Sequence, residues 1–409
     1  MKRGSSKIKK IPFYIPEITE SDILEVTDVL RSGWITTGPK TAELESAVAN
    51  YVGTARAVCL NSQTACAEMS LRYLEIGQGD EVIVPAYTYT ATASAVFHVG
   101  AKIVFVDCQK DSLEMDYDAL EKAITSDTKA IIPVDLAGIP CDYDRIFSVV
   151  KNKQHLFRPE SAIQEILGRV AIVEDAAHAL GASYKGKRIG SISDFTNFSF
   201  HAVKNLTTAE GGAMTFLPIK DIDCDEQYKN IKLLSSHGQS KDALSKTLQN
   251  SWEYDILGLW YKCNMTDVAA AMGISQFRRY HELLLKRKQI IETYDKILNP
   301  LGISTLCHYT KDRVSSGHLY ITRVPNISEI ERNEIINKMA EKGVSLNVHY
   351  KPLPMHTAYK NMGFSIKDFP NSYDNFKNSI TLPLYTKLTD NDVTYVAENY
   401  ADIVKKYLI

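Results

Sequence analysis

Two segments decide the fold: VAIVEDAAHALGA, residues 170–182, and FTNFSFHAVKNLTTAEGGA, residues 195–213. The first is an apolar run that closes on the acidic pair Glu174-Asp175, so Asp175 falls where a buried strand should emerge. The second begins with another strand-like run, Phe195–Phe200, and places Lys204 in the loop beyond it. A carboxylate and a lysine delivered to the same edge of one sheet suit pyridoxal phosphate (PLP) chemistry. The lysine amine can form an imine with an aldehyde, and the carboxylate keeps a pyridine nitrogen protonated so that the ring accepts electrons.

Outward from this stretch the chain alternates. Strand-like runs are Ala57–Leu60, Glu81–Pro85, Lys102–Val106, Ala130–Leu136, Ala171–Val173, Phe195–Phe200 and Ala213–Phe216. Helical patterns fall between several of them, notably Thr64–Leu74 and Tyr117–Ile124. Short, β-branched, nearly continuous apolar strands predict a sheet covered on both faces, hence an α/β fold. Before them, Thr19 to Asp22 reads as a capping box opening a helix stopped by Gly33. A second amphipathic helix spans Thr41–Val52, ended by Gly53. Residues 147–168 read as a helical surface insertion, and 217–257 as polar and irregular. Met265–Leu298 predicts one long helix or two stacked ones. Strand Leu319–Val324, helix Ser328–Lys342, strand Ser345–His349 and a final helix from Asp390 then predict a smaller unit. The expected division is a large domain over 1–270 and a small C-terminal domain over 271–409.

At 409 residues, two domains are the natural expectation. A net charge of −2 gives no reason to expect nucleic acid or an anionic membrane as partner. The basic start MKRGSSKIKK lacks the apolar core of a signal peptide, and no stretch approaches a membrane-spanning length. Seven scattered cysteines (Cys59, Cys66, Cys108, Cys141, Cys224, Cys263, Cys307) never fall in C-x-x-C spacing. They read as reduced thiols of a cytoplasmic protein, neither a disulfide framework nor a metal site.

Each candidate residue also has an ordinary structural reading. Lys204 can be a solvated loop charge, but it sits between a buried strand and Gly211-Gly212, which admits close backbone approach. Desolvation there would lower its pKa, as a nucleophilic amine requires. Asp175 can be a helix N-cap and His178 a packed core histidine. Asn61-Ser62-Gln63-Thr64 joins a strand to a helix, where free N–H groups bind phosphate, although Ser and Thr cap many helices. Ser199 carries the same ambiguity. Tyr87-Thr88-Tyr89 follows a strand, and an aromatic there is either core or a platform for a flat ring.

The order of these features resembles the DegT/DnrJ/EryC1/StrS family of PLP-dependent nucleotide-sugar aminotransferases. The resemblance covers about residues 11–400 and rests on WITTGPKTAELE, SQTACAEMSL, DEVIVPAYTYTATASAV, VEDAAHALGASYKG, SFHAVKNLTTAEGGA, NMTDVAAAMGISQ, VHYKPLPMH and ITLPLY. It implies fold type I, aspartate aminotransferase-like: a large domain with a mixed, mostly parallel seven-stranded sheet and a smaller α+β C-terminal domain. By this likeness Lys204 carries PLP and later shuttles the proton, with pyridoxamine phosphate as the alternate cofactor form. Asp175 pairs with the pyridine nitrogen, His178 lies near the phenolic oxygen, Tyr89 stacks on the ring, and Ser62, Gln63, Thr64 and Ser199 surround the phosphate. The family's sites lie at a homodimer interface, so Lys262 and Asn264 would reach the partner's phosphate or substrate. Thr37, His318, His349 and Tyr350 are candidate sugar contacts. The implied reaction aminates a nucleotide-linked keto sugar, commonly a 4-keto-6-deoxyhexose, with L-glutamate as donor.

Two motifs depart from the family's commonest form. Gln63-Thr64-Ala65 stands where many members have Gly-Thr-Ala, and Lys262-Cys-Asn-Met265 where many have Asn-Tyr-Arg-Met. A dehydratase branch replaces the lysine by histidine, and Lys204 argues against it. Rival readings are another PLP reaction on the same fold, a regulatory protein that binds PLP without turnover, and a plain nucleotide-binding α/β protein. The last lacks any G-x-G-x-x-G or Walker sequence. Surface glycan (O-antigen, capsule) is the expected destination of the amino sugar and an antibiotic sugar the alternative; the nucleotide stays open among UDP, dTDP and GDP.

Overall fold

The computed structural model describes residues 9–241 and 253–408. Most of the basic N-terminal stretch and part of the 217–257 region therefore lie outside the described residues. The first two helices form where their end signals predict. α1 (Glu20–Ser32) opens on the Thr19/Asp22 capping box and ends at Gly33 in left-handed conformation, φ 76°. α2 (Pro39–Val52) begins with proline at its first turn, where no N–H is needed.

The chain then alternates through β1 (Ala57–Leu60), α3 (Gln63–Tyr73), β2 (Glu81–Pro85), α4 (Thr90–His98), β3 (Lys102–Val106), α5 (Tyr117–Ala123) and β4 (Thr128–Ile131). It continues with α6 (Tyr143–Asn152), α7 (Ala162–Leu167), β5 (Ala171–Asp175), the small hairpin β6 (Ser183–Tyr184) and β7 (Lys187–Arg188), β8 (Phe195–Ser199) and β9 (Gly212–Phe216). Seven of these strands form one sheet in the order β1-β9-β8-β5-β4-β2-β3. β9 alone runs against its neighbours, pairing antiparallel with both β1 and β8. The sheet is mixed and mostly parallel, as the resemblance implies.

Strand residues alternate between two apolar cores, one on each face. Cys59, Ile83, Ile131 and Ile172 pack on one side with Leu44, Val48, Ile146 and Val150. Val58, Val82, Val84 and Val173 pack on the other with Cys66, Leu71, Ala93 and Val96. Burial of both faces is why no strand of this sheet shows a polar alternation in sequence.

Several elements differ from the expectations. β4 ends at Ile131, because Pro133 and the turn Leu136–Gly138 stop the ladder. The 147–168 segment is no appendage: α6 and α7 form the crossover that carries β4 to its parallel neighbour β5, and Val149, Phe157 and Ile163 are buried. α8 (Cys224–Leu234) occupies part of the stretch expected to be irregular. The long pattern from Met265 is two helices, α9 (Asp267–Arg278) and α10 (Tyr280–Leu298).

The second unit contains β10 (Ser304–Thr305), β11 (Arg313–Val314), β12 (Tyr320–Arg323), α11 (Glu329–Glu341), α12 (Thr357–Asn361), α13 (Pro370–Asn378), β13 (Ser379–Leu382) and α14 (Asp390–Val404). β10, β12 and β13 form an antiparallel sheet, while β11 adds to the hairpin of the large unit. The strand expected over Ser345–His349 does not form. That segment makes only isolated bridges near it, Val344 to Ile11 and Asn347 to Thr381. Tyr280 and Leu283 of α10 pack in the first core, and Ile290, Ile291 and Tyr294 in a third. The change of core thus falls inside α10. Among the described residues no helix is long and apolar enough to cross a membrane.

Candidate active site

A cavity of about 470 Å³ opens at the C-terminal ends of the parallel strands, where open α/β sheets bind ligands. Each wall comes from a different strand end. β1 leads into the N-terminus of α3 with Ser62, Gln63 and Thr64; β2 leads to Thr88 and Tyr89; β5 ends on Asp175, followed by His178. β8 supplies Ser199, and the loop after it His201, Val203 and Lys204; His349 and Tyr350 close the cavity from the second unit. Ten of the fourteen residues singled out by sequence are thereby brought together.

Asp175 is buried, with Oδ2 accepting from Thr92 Oγ1 at 2.7 Å and Oδ1 from the Ala177 N–H at 3.1 Å. Burial raises its pKa, while those two donors and the Lys204 charge favour the ionised form. Burial lowers Lys204 to about 8, against the pull of Asp175, so the amine is within reach of its free form near neutrality. His178, His318 and His349 are all pushed down, first by burial and then by neighbouring cationic groups including Lys204. They are neutral at working pH.

Hydrogen bonds fix the tautomers of His178 and His318. His178 Nδ1 accepts the Ala137 N–H at 3.2 Å, which leaves its proton on Nε2, 3.3 Å from the Tyr350 hydroxyl. Asn205 donates its amide N–H to Ser316 O, so its Oδ1 accepts from His318 Nδ1 at 2.9 Å.

The phosphate-type turn is tightly built. Ser62 caps α3 by accepting from the Ala65 N–H at 3.1 Å. A Cβ on Gly212 would lie 2.6 Å from Gln63 N, so only glycine lets β9 pass this close behind the helix terminus. Gln63 Nε2 is buried without an acceptor among the described residues. An unsatisfied amide donor beside a helix N-terminus fits an anionic oxygen ligand. A buried carboxylate, a depressed lysine and an anion cradle in one cavity therefore match the three charged features of PLP, and these residues can hold it.

Four sequence candidates lie elsewhere. His318 lines a smaller adjoining cavity of about 150 Å³ that shares Val203, Lys204, His349 and Tyr350 with the first. Thr37, Lys262 and Asn264 are not in their own chain's cavity. They form a hydrogen-bonded group, Lys262 to Asn264 to Thr37, outside it. Sequence reading missed Thr92, which sits on α4 next to Thr90 and Thr88 and is distinguishable from them only by folding. It also passed over His201, whose place in the motif beside Lys204 was a usable signal.

The fold and the site together define a PLP-dependent aminotransferase of fold type I. The chain belongs to the DegT/DnrJ/EryC1/StrS aminotransferase family, whose model matches residues 16–400, and it is a sugar aminotransferase. It is similar to the putative sugar aminotransferase Spr1654 from Streptococcus pneumoniae. The PMP form of that protein is 56% identical with TM-score 0.95, covering 98% of this chain and 100% of that one. Its PLP form is 54% identical with TM-score 0.94 and the same coverage. The spore coat polysaccharide biosynthesis protein SpsC of Bacillus subtilis is 37% identical over 400 residues, 97% of each chain. The UDP-4-amino-4-deoxy-L-arabinose–oxoglutarate aminotransferase of Shewanella sediminis is 35% identical over 402 residues, 96% of this chain and 98% of that one.

Proposed function

We propose that the protein aminates a nucleotide-linked keto sugar, a 4-keto-6-deoxyhexose or close analogue, with L-glutamate as donor, to supply surface glycan synthesis in the cytoplasm. The observation that carries this reading is the convergence of Lys204, Asp175 and the α3 N-terminus on one cavity. When bound, PLP supplies an electron sink and a carrier for the amino group between donor and acceptor. The protein supplies the rest.

Lys204 is the catalytic residue: its amine, near pKa 8, holds the cofactor and then moves a proton at Nζ as base and acid. Asp175, kept ionised by Thr92 and Ala177, holds the pyridine nitrogen protonated. His178 offers Nε2–H beside the phenolic oxygen. Ser62, Gln63, Thr64 and Ser199 bind the phosphate, and Tyr89, 59% exposed, offers an open ring face for stacking. His349 and Tyr350 orient the sugar, with His318 as a further substrate contact from the adjoining cavity; Thr37, hydrogen-bonded to Asn264, is a substrate contact of the second copy's site.

We assign Lys262 and Asn264 to the site of a second copy in a homodimer. Apolar side chains beside them support this: Ile256, Leu257 and Trp260 are exposed, and Leu259 is 98% exposed. The test follows the cofactor absorption of purified holoenzyme. L-glutamate should convert the yellow form to the pyridoxamine form, and the correct keto-sugar nucleotide from a UDP, dTDP and GDP panel should restore it. A cofactor band that no amino donor changes would refute the donor, and conversion without restoration by any keto sugar would refute the acceptor.

A further inference from the structure

Adjacent residues on a strand face opposite sides, and β5 uses this at its last two positions. Asp175 turns toward Thr92 of α4 and the cavity. Glu174 turns to the other face, where it meets Asp135, and neither carboxyl has any exposed surface. Asp135 Oδ1 accepts from the Cys141 N–H at 2.8 Å and the Tyr143 hydroxyl at 2.9 Å. Glu174 Oε2 accepts from Ser193 Oγ at 2.8 Å and Thr196 Oγ1 at 3.0 Å. The remaining oxygens, Asp135 Oδ2 and Glu174 Oε1, are buried with no donor. No ion pair compensates either carboxyl among the described residues.

Two ionised carboxylates in contact, fully desolvated and without a cation, are too costly to persist. One proton between the two unsatisfied oxygens completes every acceptor in the cluster. We propose that Asp135 and Glu174 share a single proton and act as a positioning pair for the cofactor-facing residues on the opposite face of the sheet. The proposal rests on the aminotransferase reading for what is positioned, but the proton itself does not.

The groups facing the pair are Tyr143 of α6, Cys141 before it, Ser193 just before β8 and Thr196 within it. Burial pushes both carboxyls up, so the pair keeps one proton between its two facing oxygens.

What the pair holds is the turn that Asp135 begins. The Asp135 N–H donates to Asp175 O at 3.1 Å, and the Asp175 N–H to Pro133 O at 2.9 Å. In the same turn Ala137 adopts φ 61°, unusual for a residue with a Cβ. Its N–H sets the His178 tautomer, and its carbonyl accepts from the His318 N–H at 3.0 Å. Gly138 approaches Ser316 so closely that a Cβ would lie 2.1 Å from its Oγ. One turn thus orients Asp175 and His178 and seats the segment carrying His318.

Substitution with amides tests the shared proton. In Asp135→Asn the new N–H₂ faces Glu174 and donates permanently; in Glu174→Gln the amide donates to an ionised Asp135. Each single variant should keep the wild-type thermal midpoint within a few degrees and leave the His178 ring ¹⁵N signals in the Nε2-protonated pattern. The double variant D135N/E174Q sets two donors against each other. Its holoenzyme midpoint should fall well beyond the sum of the single changes, and the His178 pattern should be lost.

The pH dependence adds a sign. An unfolded aspartate releases its proton above about pH 4, whereas the folded pair keeps one. Stability from the pair is therefore full below that pH and declines as pH rises toward the folded value. The midpoint of D135N relative to wild type should climb steadily as pH rises above about 5. If both singles fall as far as the double, or D135N gains nothing with pH, no proton is shared. If midpoints behave as expected but the His178 signals never move, the pair is structural and does not position that residue. Failure of the donor or sugar assays would leave these readouts unaffected.

Discussion

The hydroxyl of Thr92, on the first turn of α4, donates at 2.7 Å to Oδ2 of Asp175, the last residue of β5. Thr88 Oγ1 in turn lies 3.0 Å from Thr92 Oγ1, so the carboxylate that faces the cavity is held by a buried hydroxyl relay. A hydrogen bond to a charged acceptor contributes more than one between neutral groups.

Thr92→Val should therefore weaken PLP binding and lower kcat/KM by about tenfold to a hundredfold, the effect of removing about 1.5–3 kcal/mol from a charged acceptor. Thr92→Ser keeps the donor and should stay near wild type. Cofactor titration by absorbance, with steady-state rates, reads both.

Lys204 gives a pH prediction for the cofactor-free protein. Its folded pKa of about 8 lies below its ordinary value of 10.5, so the unfolded chain binds the extra proton between the two. Stability from this residue is present above the unfolded value and lost as pH falls through the folded one. Lys204→Met should thus raise the thermal midpoint of the cofactor-free protein at neutral pH, with the gain shrinking as pH rises toward about 10. The same variant should lose transamination entirely. A gain constant across pH would show that the amine is not desolvated.

Gly212→Ala places a Cβ 2.6 Å from Gln63 N and 2.8 Å from Phe198 O, both backbone atoms. One must move. The expected cost is about 1–3 kcal/mol of stability, as for other overpacked sites. Movement of the α3 terminus should also raise the Kd for inorganic phosphate and for PLP together. Calorimetric titration with each ligand checks it.

Lys204→Ala and Lys262→Ala should each abolish or sharply reduce turnover as pure proteins. If Lys262 serves the neighbouring copy's cavity, mixing the two under conditions of subunit exchange should restore activity, since mixed dimers contain one intact site. Leu259→Glu should shift the protein toward monomer in sedimentation analysis. No recovery on mixing, with exchange demonstrated, would place Lys262 in its own chain's function instead.

The large-unit strands were legible because both faces of the sheet are buried, so each strand is a short apolar run bounded by loops. β13 was less legible: Ser379 to Leu382 is equally buried, but its neighbours β12 and Asn347 are remote in sequence. Ser345–His349 reads as a strand by composition, yet its backbone partners are divided between Ile11 and Thr381, which leaves no continuous ladder. The two halves of the Met265–Leu298 pattern separate at Arg279 because α9 packs on α1 and α2 while α10 passes on to the third core.

Sequence alone determined the order of chemistry along the chain: phosphate-type turn, aromatic, carboxylate, hydroxyl and lysine, each at or just beyond the end of a strand. A parallel sheet brings its C-terminal ends to one edge, so that order already implied one cavity. Folding decided what has no linear signature. Thr92, rather than Thr88 or Thr90, meets Asp175, because helix pitch and packing select one hydroxyl from three. Glu174 and Asp135 meet because β5 alternates and β4 lies beside it. Thr37, from the turn between α1 and α2, joins Lys262 and Asn264 outside the cavity, since the segment carrying the latter two bridges to Ser236 and to Leu60 at the end of β1 instead of folding inward.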